Sequence, residues 1–364
     1  MHILNPFAGG SLCEVVALQD SIIKRYSGNI QRGSDKLRQE YEWLSQVPSW
    51  ITEKYPLLFP RPLHFSRSAE HNQTELHISR IPRLSLTKAI IGDKLTPDRA
   101  AAFLRVALDL LVDTVYGMRA DTIPADAGYR HFHSNRIALA RKYLRRLPYL
   151  DPILGAANII VNDIVCPSVN QFLTWLDTNH TSIFVSNTVI SVHGNFHLDN
   201  ILVDPELQPK NKVVSFIDPR GDLLGFPHYD LAKLLITLEG YYDELHYGAY
   251  ELYSEQHGNS FQISIKPEKL LDTHYVECLL ASRSWLSQFA EVEHVSITQM
   301  LWLIYVVECI HILSFCFYHA YGPEPIPNKI RAFIAMFAIM ARRLFNMWTT
   351  KDVVDLPNTR LGLE

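Results

Sequence analysis

Two short polar clusters near the middle of the chain have residue types and a spacing that suit metal binding. The first is His193-Gly-Asn-Phe-His-Leu-Asp-Asn200, which follows an apolar run, and the second is Asp218, which ends another. Asn200 and Asp218 lie 18 residues apart, so a hairpin could bring them to one end of a small sheet. Their amide and carboxylate oxygens are hard ligands, which suits Mg²⁺ bound to a nucleotide's phosphates. Taken singly, each cluster is also compatible with a solvated turn.

Two groups of residues near the N-terminus are candidates for contacts with phosphate. Lys24 ends a short apolar run, and lysine is rare in a buried strand unless it is paired. Glu40, on the following predicted helix, is the natural partner, although a lysine at such a position, taken alone, is more often an exposed strand residue. Gly10 and Ser11 precede the first predicted strand, where glycine permits close backbone approach to phosphate or simply forms a turn.

The elements that position these residues are strand-rich at first and helical later. Residues 1–83 are predicted to form strands around one helix at 36–46, and a strand hairpin is predicted over 188–218. Helices are predicted at 97–118, 135–147, 169–179 and 229–347. The chain is therefore predicted to be α+β, with a nucleotide-binding N-lobe (1–83) and a helical C-lobe (84–364) that holds the hairpin and the acceptor site.

Composition argues against several classes of protein. The net charge is −4 and no long basic run occurs, so no nucleic-acid partner is expected. The five cysteines have no CxxC spacing, which favours reduced thiols in the cytoplasm over disulfides or a zinc site. No signal pattern is expected at the N-terminus. The apolar segment 300–320 contains Glu308 and two histidines, which favours a core helix over a membrane span.

These residues, in this order, resemble the aminoglycoside phosphotransferase and choline kinase-like family, a branch of the protein-kinase-like fold. The family's HGDxHxxN loop corresponds to residues 193–200, its ID strand end to Ile217-Asp218, and its DLA helix to Asp230-Leu-Ala232. The resemblance spans about residues 5–245. It implies a two-lobed protein-kinase-like fold and transfer of phosphate from ATP, with Mg²⁺, to a hydroxyl of a small molecule.

The resemblance also implies a role for each candidate residue. Lys24, oriented by Glu40, would hold the α- and β-phosphates near Gly10 and Ser11, and Asn200 and Asp218 would bind Mg²⁺. Further roles that the resemblance implies are adenine contact through the backbone (Ser79 to Ile81), bracing of the loop (His193), proximity to the metal (His197) and substrate contact (Asp222, Tyr241, Tyr242). Asp230, at the start of a predicted helix, is given a structural role from its position, either as the N-cap or as a buried carboxylate that bonds the backbone of the His193 loop. Glu239, Asp243 and Glu244 would make the acceptor end acidic, which suits a hydroxylated and even cationic acceptor.

Position 195 departs from the family pattern, because Asn195 stands where the family has its catalytic aspartate. An amide cannot take a proton, and general-base help is worth ~10²–10⁴-fold. The loss is smaller if the transition state is loose, and Asn195 could still orient a hydroxyl by accepting its hydrogen bond.

Two functions therefore stay open. The first is a phosphotransferase acting on a sugar, an aminoglycoside-like compound or an amino alcohol. The second is a nucleotide-binding pseudokinase that works as a scaffold or regulator, whether Asn195 is natural or an engineered replacement of aspartate. A protein kinase fits less well, because His197 stands where protein kinases carry a lysine.

Overall fold

The structure is a computed structural model that describes residues 13–27, 31–68, 72–145, 147–220, 224–268, 271–320, 327–350 and 360–361. Within these ranges the strands are β1 (Glu14–Ala17), β2 (Ser21–Ser27), β3 (Pro62–Ser68), β4 (Gln73–Ser79), β5 (Leu84–Ser85), β6 (Ala120–Thr122), β7 (Asn158–Val161), β8 (Ile164–Pro167), β9 (Thr188–Ser191), β10 (Ile201–Val203), β11 (Val214–Phe216), β12 (Leu224–Gly225), β13 (Tyr250–His257) and β14 (Ser260–Pro267).

The helices in the same ranges are α1 (Gln31–Ser45), α2 (Ser49–Lys54), α3 (Leu86–Ile91), α4 (Pro97–Leu110), α5 (Ala125–Tyr129), α6 (Asn135–Leu144), α7 (Asp151–Leu154), α8 (Val169–Ile183), α9 (Pro227–Glu239), α10 (Tyr242–Tyr247), α11 (Asp272–Arg283), α12 (Leu286–Glu293), α13 (Ile297–Ala320) and α14 (Pro327–Thr350). One π-helical turn (Leu111–Val115) continues α4 and another (Arg130–Ser134) precedes α6.

The chain forms two compact units. The first comprises Met1–Ala120 with Ile190–Gly225, and the second comprises Asp121–Val189 with Phe226–Glu364. The first unit holds the N-terminal sheet and both polar clusters, whereas most of the long helices lie in the second. The predicted α+β class is confirmed. The functional division at residue 83, nucleotide binding before it and acceptor binding after it, stays a prediction.

An antiparallel sheet with the strand order β1-β2-β4-β3 carries Lys24. In this sheet Lys24 lies opposite Leu76, which is fully buried. Helix α1 starts at Gln31, earlier than the predicted start at residue 36. Ser34 lies within the helix, where its buried hydroxyl hydrogen-bonds the Thr74 hydroxyl at 2.7 Å and ties α1 to β4.

The predicted hairpin over 188–218 divides between two sheets. Strands β10 and β11 form the expected antiparallel ladder, with Ile201 opposite Phe216. Strand β9 instead pairs with β12, where Ser191 lies opposite Leu224. The chain leaves β9 through a turn at Gly194, whose φ is 72°, so the residues between β9 and β10 form a loop instead of a strand.

Helix α13 lies in the core of the second unit. Its stretch Ile297–Cys316 is long and apolar enough to cross a membrane, but 94% of that window is buried inside the protein. Glu308 within it lies 3.2 Å from Arg343. A buried helix with an internal ion pair is typical of a globular core, as the sequence predicts.

Four strands of the second unit were not predicted from the sequence. Strands β7 and β8 pair with each other, β14 pairs in parallel with β7, and β13 and β14 form a hairpin. The pattern was present, because buried Phe261, Ile263 and Ile265 alternate with polar residues along β14. Gly258, with φ at 55°, supplies the turn.

Candidate active site

Lys24 and Glu40 form an ion pair that reaches the end of strand β11. The Lys24 Nζ lies 2.6 and 2.8 Å from the two Glu40 carboxylate oxygens and 2.7 Å from Asp218 Oδ1. Burial alone would lower the pKa of Lys24, but the Asp218 and Glu40 carboxylates outweigh it and raise that pKa. Glu40 is 1% exposed, and its own pKa is raised, first of all by burial. The ammonium therefore stays charged.

Helix α1 sets the position of this pair and of the neighbouring loop. Lys36, Glu40 and Trp43 follow each other at four- and three-residue steps, which places them on one side of the helix. Lys36 Nζ lies 3.7 Å from Asp218 Oδ1. Trp43 donates its indole N–H to the Val192 carbonyl at 2.9 Å, directly before the polar loop.

The loop 193–200 is locked against the segment that follows Asp218. The backbone N–H of Arg220 donates to the His193 carbonyl at 2.9 Å. At Gly194, where φ is positive, a Cβ would lie 2.1 Å from the Arg220 carbonyl oxygen. Only glycine fits this approach, so the chain must carry glycine at this position for the two segments to meet.

His193 braces the loop from inside. It is fully buried, and its Nδ1 accepts from the Asn195 backbone N–H at 3.3 Å, which leaves the proton on Nε2. Its ring packs edge-on against Trp43, Phe196 and Phe216. Burial lowers the pKa of His193 to about 4, so the ring is neutral at physiological pH.

Asn195 connects the two polar clusters. Its side chain is 2% exposed, and its amide nitrogen donates to Asp218 Oδ2 at 2.7 Å and to the Asp218 carbonyl at 3.2 Å. The Asn200 amide nitrogen in turn donates to the Asn195 carbonyl at 2.8 Å and faces His197 Nε2 at 3.0 Å. Asn195 thus donates hydrogen bonds where the family's aspartate would present only acceptors.

Asp218 is the centre of the site. Its φ of 55° is a left-handed conformation that costs a non-glycine residue about 1 kcal/mol or more. Three cations face its carboxylate: Lys24 at 2.7 Å, Lys36 at 3.7 Å and Arg220 Nε at 3.4 Å. Burial would raise the pKa of Asp218, but Lys24, then Lys36 and Arg220, outweigh it and hold the pKa well below its usual range.

The donor set fits a magnesium ion by chemistry. Asn200 and Asp218 both hydrogen-bond Asn195, and the Ile217 N–H donates to the Asn200 carbonyl at 3.1 Å, so the two side chains start from adjacent backbone. The Asn200 amide nitrogen is used by the loop, which leaves its oxygen for a cation. Among the described residues no group of three or more His, Cys, Asp or Glu could hold a metal. Mg²⁺ commonly needs only one or two protein ligands beside phosphates and water.

The remaining candidates of the first unit are only partly described. Ser79 exchanges hydrogen bonds with Arg61, through its backbone N–H at 2.9 Å and its hydroxyl at 2.8 Å. Ile81 is buried, and its carbonyl accepts from the Arg83 N–H at 2.9 Å. The adenine contact stays a prediction. Predicted residues outside the described ranges are Gly10, Ser11 and Asp222.

In the second unit, the structure places Asp230 and Tyr241 differently from their predicted roles. The N-cap role for Asp230 is wrong, because α9 begins three residues earlier at Pro227, a residue suited to a helix's first turn, and Phe226 is the N-cap. Asp230 is fully buried in that first turn, where a carboxylate suits the helix dipole, and its structural role stays a prediction. Tyr241 is buried under the Arg360 guanidinium, 3.9 Å from the ring centroid.

Tyr242 also packs against the protein itself. Its ring stacks on His246 and contacts Phe315 and Phe333, with ring centroids 5.1 to 5.8 Å away. Stacking of Tyr241 or Tyr242 on a sugar stays a prediction that would require these rings to give up part of their packing.

The predicted acidic acceptor end is wrong for the carboxylates that the structure describes. Glu239 is fully buried and bound by both terminal nitrogens of Arg343, at 2.8 and 2.6 Å. Glu244 is bound by Arg360, and Asp243 accepts from the Tyr275 hydroxyl. These carboxylates stabilise the interior of the second unit, so they cannot attract a cationic acceptor.

Sequence reasoning missed Lys36 and Arg220, the second and third cations at Asp218. Lys36 lies one helical turn before Glu40, and Arg220 lies two residues after Asp218. Their proximity to known candidates was visible in the sequence, but surface lysines and arginines are common and neither spacing is diagnostic.

A comparison with models of protein families identifies the family of this chain. Residues 4–255, more than half of the chain, match the model of the phosphotransferase enzyme family, APH. The chain belongs to the phosphotransferase enzyme family. The predicted resemblance is therefore confirmed. The comparison with curated protein sequences gives no match.

Solved structures similar to this phosphotransferase-family chain include aminoglycoside phosphotransferases and a choline kinase. The GDP and kanamycin complex of APH(2")-IIia has a TM-score of 0.51 at 11% identity, over 97% of this chain and 95% of that one. A thermostable mutant of APH(4)-Ia, in its apo form, has a TM-score of 0.45 at 10% identity, over 94% of each chain. Choline kinase from Cryptosporidium parvum Iowa II has a TM-score of 0.38 at 11% identity, over 95% of this chain and 90% of that one. The first similarity confirms the kinase-like fold.

Proposed function

We propose that the protein transfers the γ-phosphoryl group of ATP to a hydroxyl of a small molecule, with Mg²⁺ as cofactor. The observation that carries the proposal is the connected set Lys24, Glu40, Asp218, Asn195 and Asn200. It unites a paired ammonium with Asn200 and Asp218, two side chains that both hydrogen-bond Asn195 and that each carry an oxygen suited to a metal. In phosphoryl transfer the protein mainly positions groups and neutralises charge, and this set can do both.

Each side chain has a defined task in the proposed reaction. Lys24, held by Glu40, binds the phosphates, and Asn200 and Asp218 hold Mg²⁺, which neutralises charge on the phosphates when bound. His193 stays neutral and keeps the loop in place. The segment Ser79 to Ile81 contacts the adenine.

Asn195 orients the acceptor instead of deprotonating it. Its amide nitrogen is committed to Asp218, so its side-chain oxygen is the atom that accepts the acceptor's O–H. The hydroxyl oxygen forms a bond to the γ-phosphorus while the bond to the β–γ bridging oxygen breaks, which leaves ADP. Since no carboxylate stands at position 195, the hydroxyl proton passes to an oxygen of the transferred phosphoryl group.

The acceptor belongs to the hydroxylated small molecules: sugars, aminoglycoside-like compounds or amino alcohols. One aminoglycoside phosphotransferase of similar fold was crystallised with kanamycin and another with hygromycin B. We place the reaction in the cytoplasm, because all five cysteines are buried, free thiols.

The experiment is phosphoryl transfer from Mg²⁺-ATP and Mg²⁺-GTP to a panel of these acceptors. The unchanged chain is assayed beside Asn195→Asp and Asp218→Asn, with ATP binding measured by calorimetry. Transfer by the unchanged chain that Asp218→Asn abolishes supports the proposal. The proposal is overturned if none of the three chains transfers phosphate and none of them binds ATP.

The second candidate function is a nucleotide-binding pseudokinase that acts as a scaffold or regulator. The observation that favours it is the hydrogen bond from Asn195 to Asp218, which occupies a carboxylate oxygen proposed for the metal. Transfer only by Asn195→Asp, with ATP bound by both chains, would select this alternative.

A further inference from the structure

Three cations lie around Asp218, although its carboxylate carries a single negative charge. Lys24 and Lys36 face its Oδ1 at 2.7 and 3.7 Å, and Arg220 faces its Oδ2 at 3.4 Å. Glu40 pairs with Lys24. We call Lys24, Lys36, Glu40, Asp218 and Arg220 the Asp218 cluster. Three positive and two negative groups give it a net charge of +1.

Asn195 contributes to this excess. The residue is neutral and lies 2.7 Å from Asp218, so position 195 adds no negative charge beside the cluster. An aspartate at this position would bring the local charge to zero. The site is thus one charge more positive than the family's sequence pattern would make it.

The extra cations are rigidly supported yet open to a ligand. Lys36 projects from helix α1, and the Arg220 backbone is fixed by its hydrogen bond to His193. The exposed side-chain fraction rises from 12% for Lys24 to 19% for Lys36 and 31% for Arg220. All three side chains therefore keep some exposure to solvent.

A polyphosphate suits this arrangement better than a metal ion alone. A divalent cation at Asp218 meets three cations that already neutralise the carboxylate, whereas a polyanion is attracted by the net charge and relieves the repulsion among the cations. Guanidinium and ammonium groups both form strong, charge-assisted hydrogen bonds to phosphate.

We propose that Lys36 and Arg220 join Lys24 in a three-cation cradle for the phosphates of a nucleoside triphosphate, so that the site binds the nucleotide without a divalent cation. The proposal rests on the proposed function, because it concerns the same nucleotide site. It goes beyond that function by assigning two further phosphate-binding residues and by removing the metal requirement from the binding step.

The test measures binding of ATP and of inorganic tripolyphosphate by titration calorimetry, once in EDTA and once in Mg²⁺. For the unchanged chain we expect ATP to bind in EDTA with a Kd within about fivefold of that in Mg²⁺, and tripolyphosphate to compete with it. Lys36→Met and Arg220→Gln should each weaken binding in EDTA about tenfold or more. Lys36→Arg, which keeps the charge, should recover most of the affinity.

Arg38→Gln is the matched control, because Arg38 lies on the same helix as Lys36, is half exposed and pairs with Glu42 at 2.8 Å. It should leave both affinities unchanged. Asn195→Asp should strengthen the dependence on Mg²⁺, since it restores a negative charge beside Asp218.

ATP binding that strictly requires Mg²⁺ would overturn the cradle while leaving the proposed phosphotransferase intact. Equal affinities for Lys36→Met, Arg220→Gln and the unchanged chain would also overturn it. Absence of ATP binding in both buffers would instead reject the proposed function itself.

Discussion

Asn195 is the residue on which the chemistry of the site depends most directly. Its amide N–H meets Asp218 Oδ2 at 2.7 Å, a contact that two carboxylates could make only by sharing a proton or a metal. The asparagine therefore stabilises the arrangement of the loop and Asp218 in the absence of metal. Its amide oxygen keeps the ability to orient a hydroxyl.

Replacing Asn195 by aspartate should make stability depend on Mg²⁺. In EDTA we expect Asn195→Asp to lose about 1–3 kcal/mol of unfolding free energy, because the hydrogen bond to Asp218 Oδ2 gives way to repulsion between two adjacent carboxylates. Lys24 and Lys36 offset this repulsion only in part, since they face the other oxygen, Oδ1. Added Mg²⁺ should recover part of the loss. Urea unfolding in EDTA and in Mg²⁺ measures both effects. Asn195→Ala, which removes the donor without adding charge, should be destabilised equally in both buffers, and an equally stable Asn195→Asp in EDTA would contradict this account.

The Lys24–Glu40 pair should show strong energetic coupling. Lys24→Met would leave the buried Glu40 without its partner at 2.6 Å, at a cost of about 3 kcal/mol. Glu40→Gln should cost a similar amount, and the double variant clearly less than the sum. A double-mutant cycle by urea unfolding measures the coupling. Additive losses would show that the two side chains contribute independently.

At the scale of elements, helix α1 links the N-terminal sheet to the polar loop. It is tied to β4 through Ser34 and to the end of the β9 strand through Trp43, and it presents Lys36 and Glu40 between these anchors. The loop itself depends on the turn at Gly194, which lets residues 193–195 lie against Arg220. Lys36 and Glu40 thus come from α1, and His193, Asn195 and Asn200 come from the loop.

Gly194→Ala should therefore be far more destabilising than an ordinary glycine replacement. Both Gly194 and Gly248 have a positive φ, but a Cβ at Gly194 meets the Arg220 backbone oxygen at 2.1 Å, whereas nothing lies within 4 Å at Gly248. We expect a loss of more than about 3 kcal/mol for Gly194→Ala and about 1 kcal/mol for Gly248→Ala. Thermal and urea unfolding of the two variants give the comparison. Similar losses would show that conformational strain, not the close approach, governs both sites.

At the scale of the whole molecule, buried histidines make stability sensitive to acid. Burial lowers the pKa of His193 to about 4 in the first unit. In the second unit burial, aided by neighbouring positive groups, holds the pKa of His133 and His311 well below the usual value. The unfolded chain takes up protons on these residues near pH 6.5, whereas the native protein does not. Stability must therefore fall as the pH decreases below 6.5.

For His193 alone the expected loss is about 2 kcal/mol at pH 5, from the separation of the native and unfolded pKa values. His311→Phe tests the contribution of the second unit, because neither ring nitrogen of His311 has a hydrogen-bond partner among the described residues. Urea unfolding from pH 8 to pH 5 should show a shallower pH dependence for His311→Phe. Leu303→Ala, a buried residue without a titratable group on the same helix, should lower stability equally at every pH. An unchanged slope in His311→Phe would contradict a buried neutral histidine.

Local patterns allowed much of the site to be predicted. Residues 188–218 encode the two polar clusters, the turn at Gly194 and the strands that flank them. Their spacing is that of a hairpin that could bring Asn200 close to Asp218. The β13–β14 hairpin was missed although its alternation was present, because the surrounding sequence is helical. Asp230 is a plausible N-cap by residue type, but α9 begins three residues before it, at Pro227.

The sequence itself determines which chemical groups are available, because the polar clusters, Lys24 and Asn195 are local features that keep their identity in any fold. Only the tertiary structure decides what those groups face. Lys24 meets Asp218 across 194 residues of chain, and Lys36 reaches the same carboxylate from helix α1. Such contacts arise when packing brings distant segments together, and no short-range spacing specifies them. The positive charge of the site and the donor role of Asn195 are therefore properties of the folded chain.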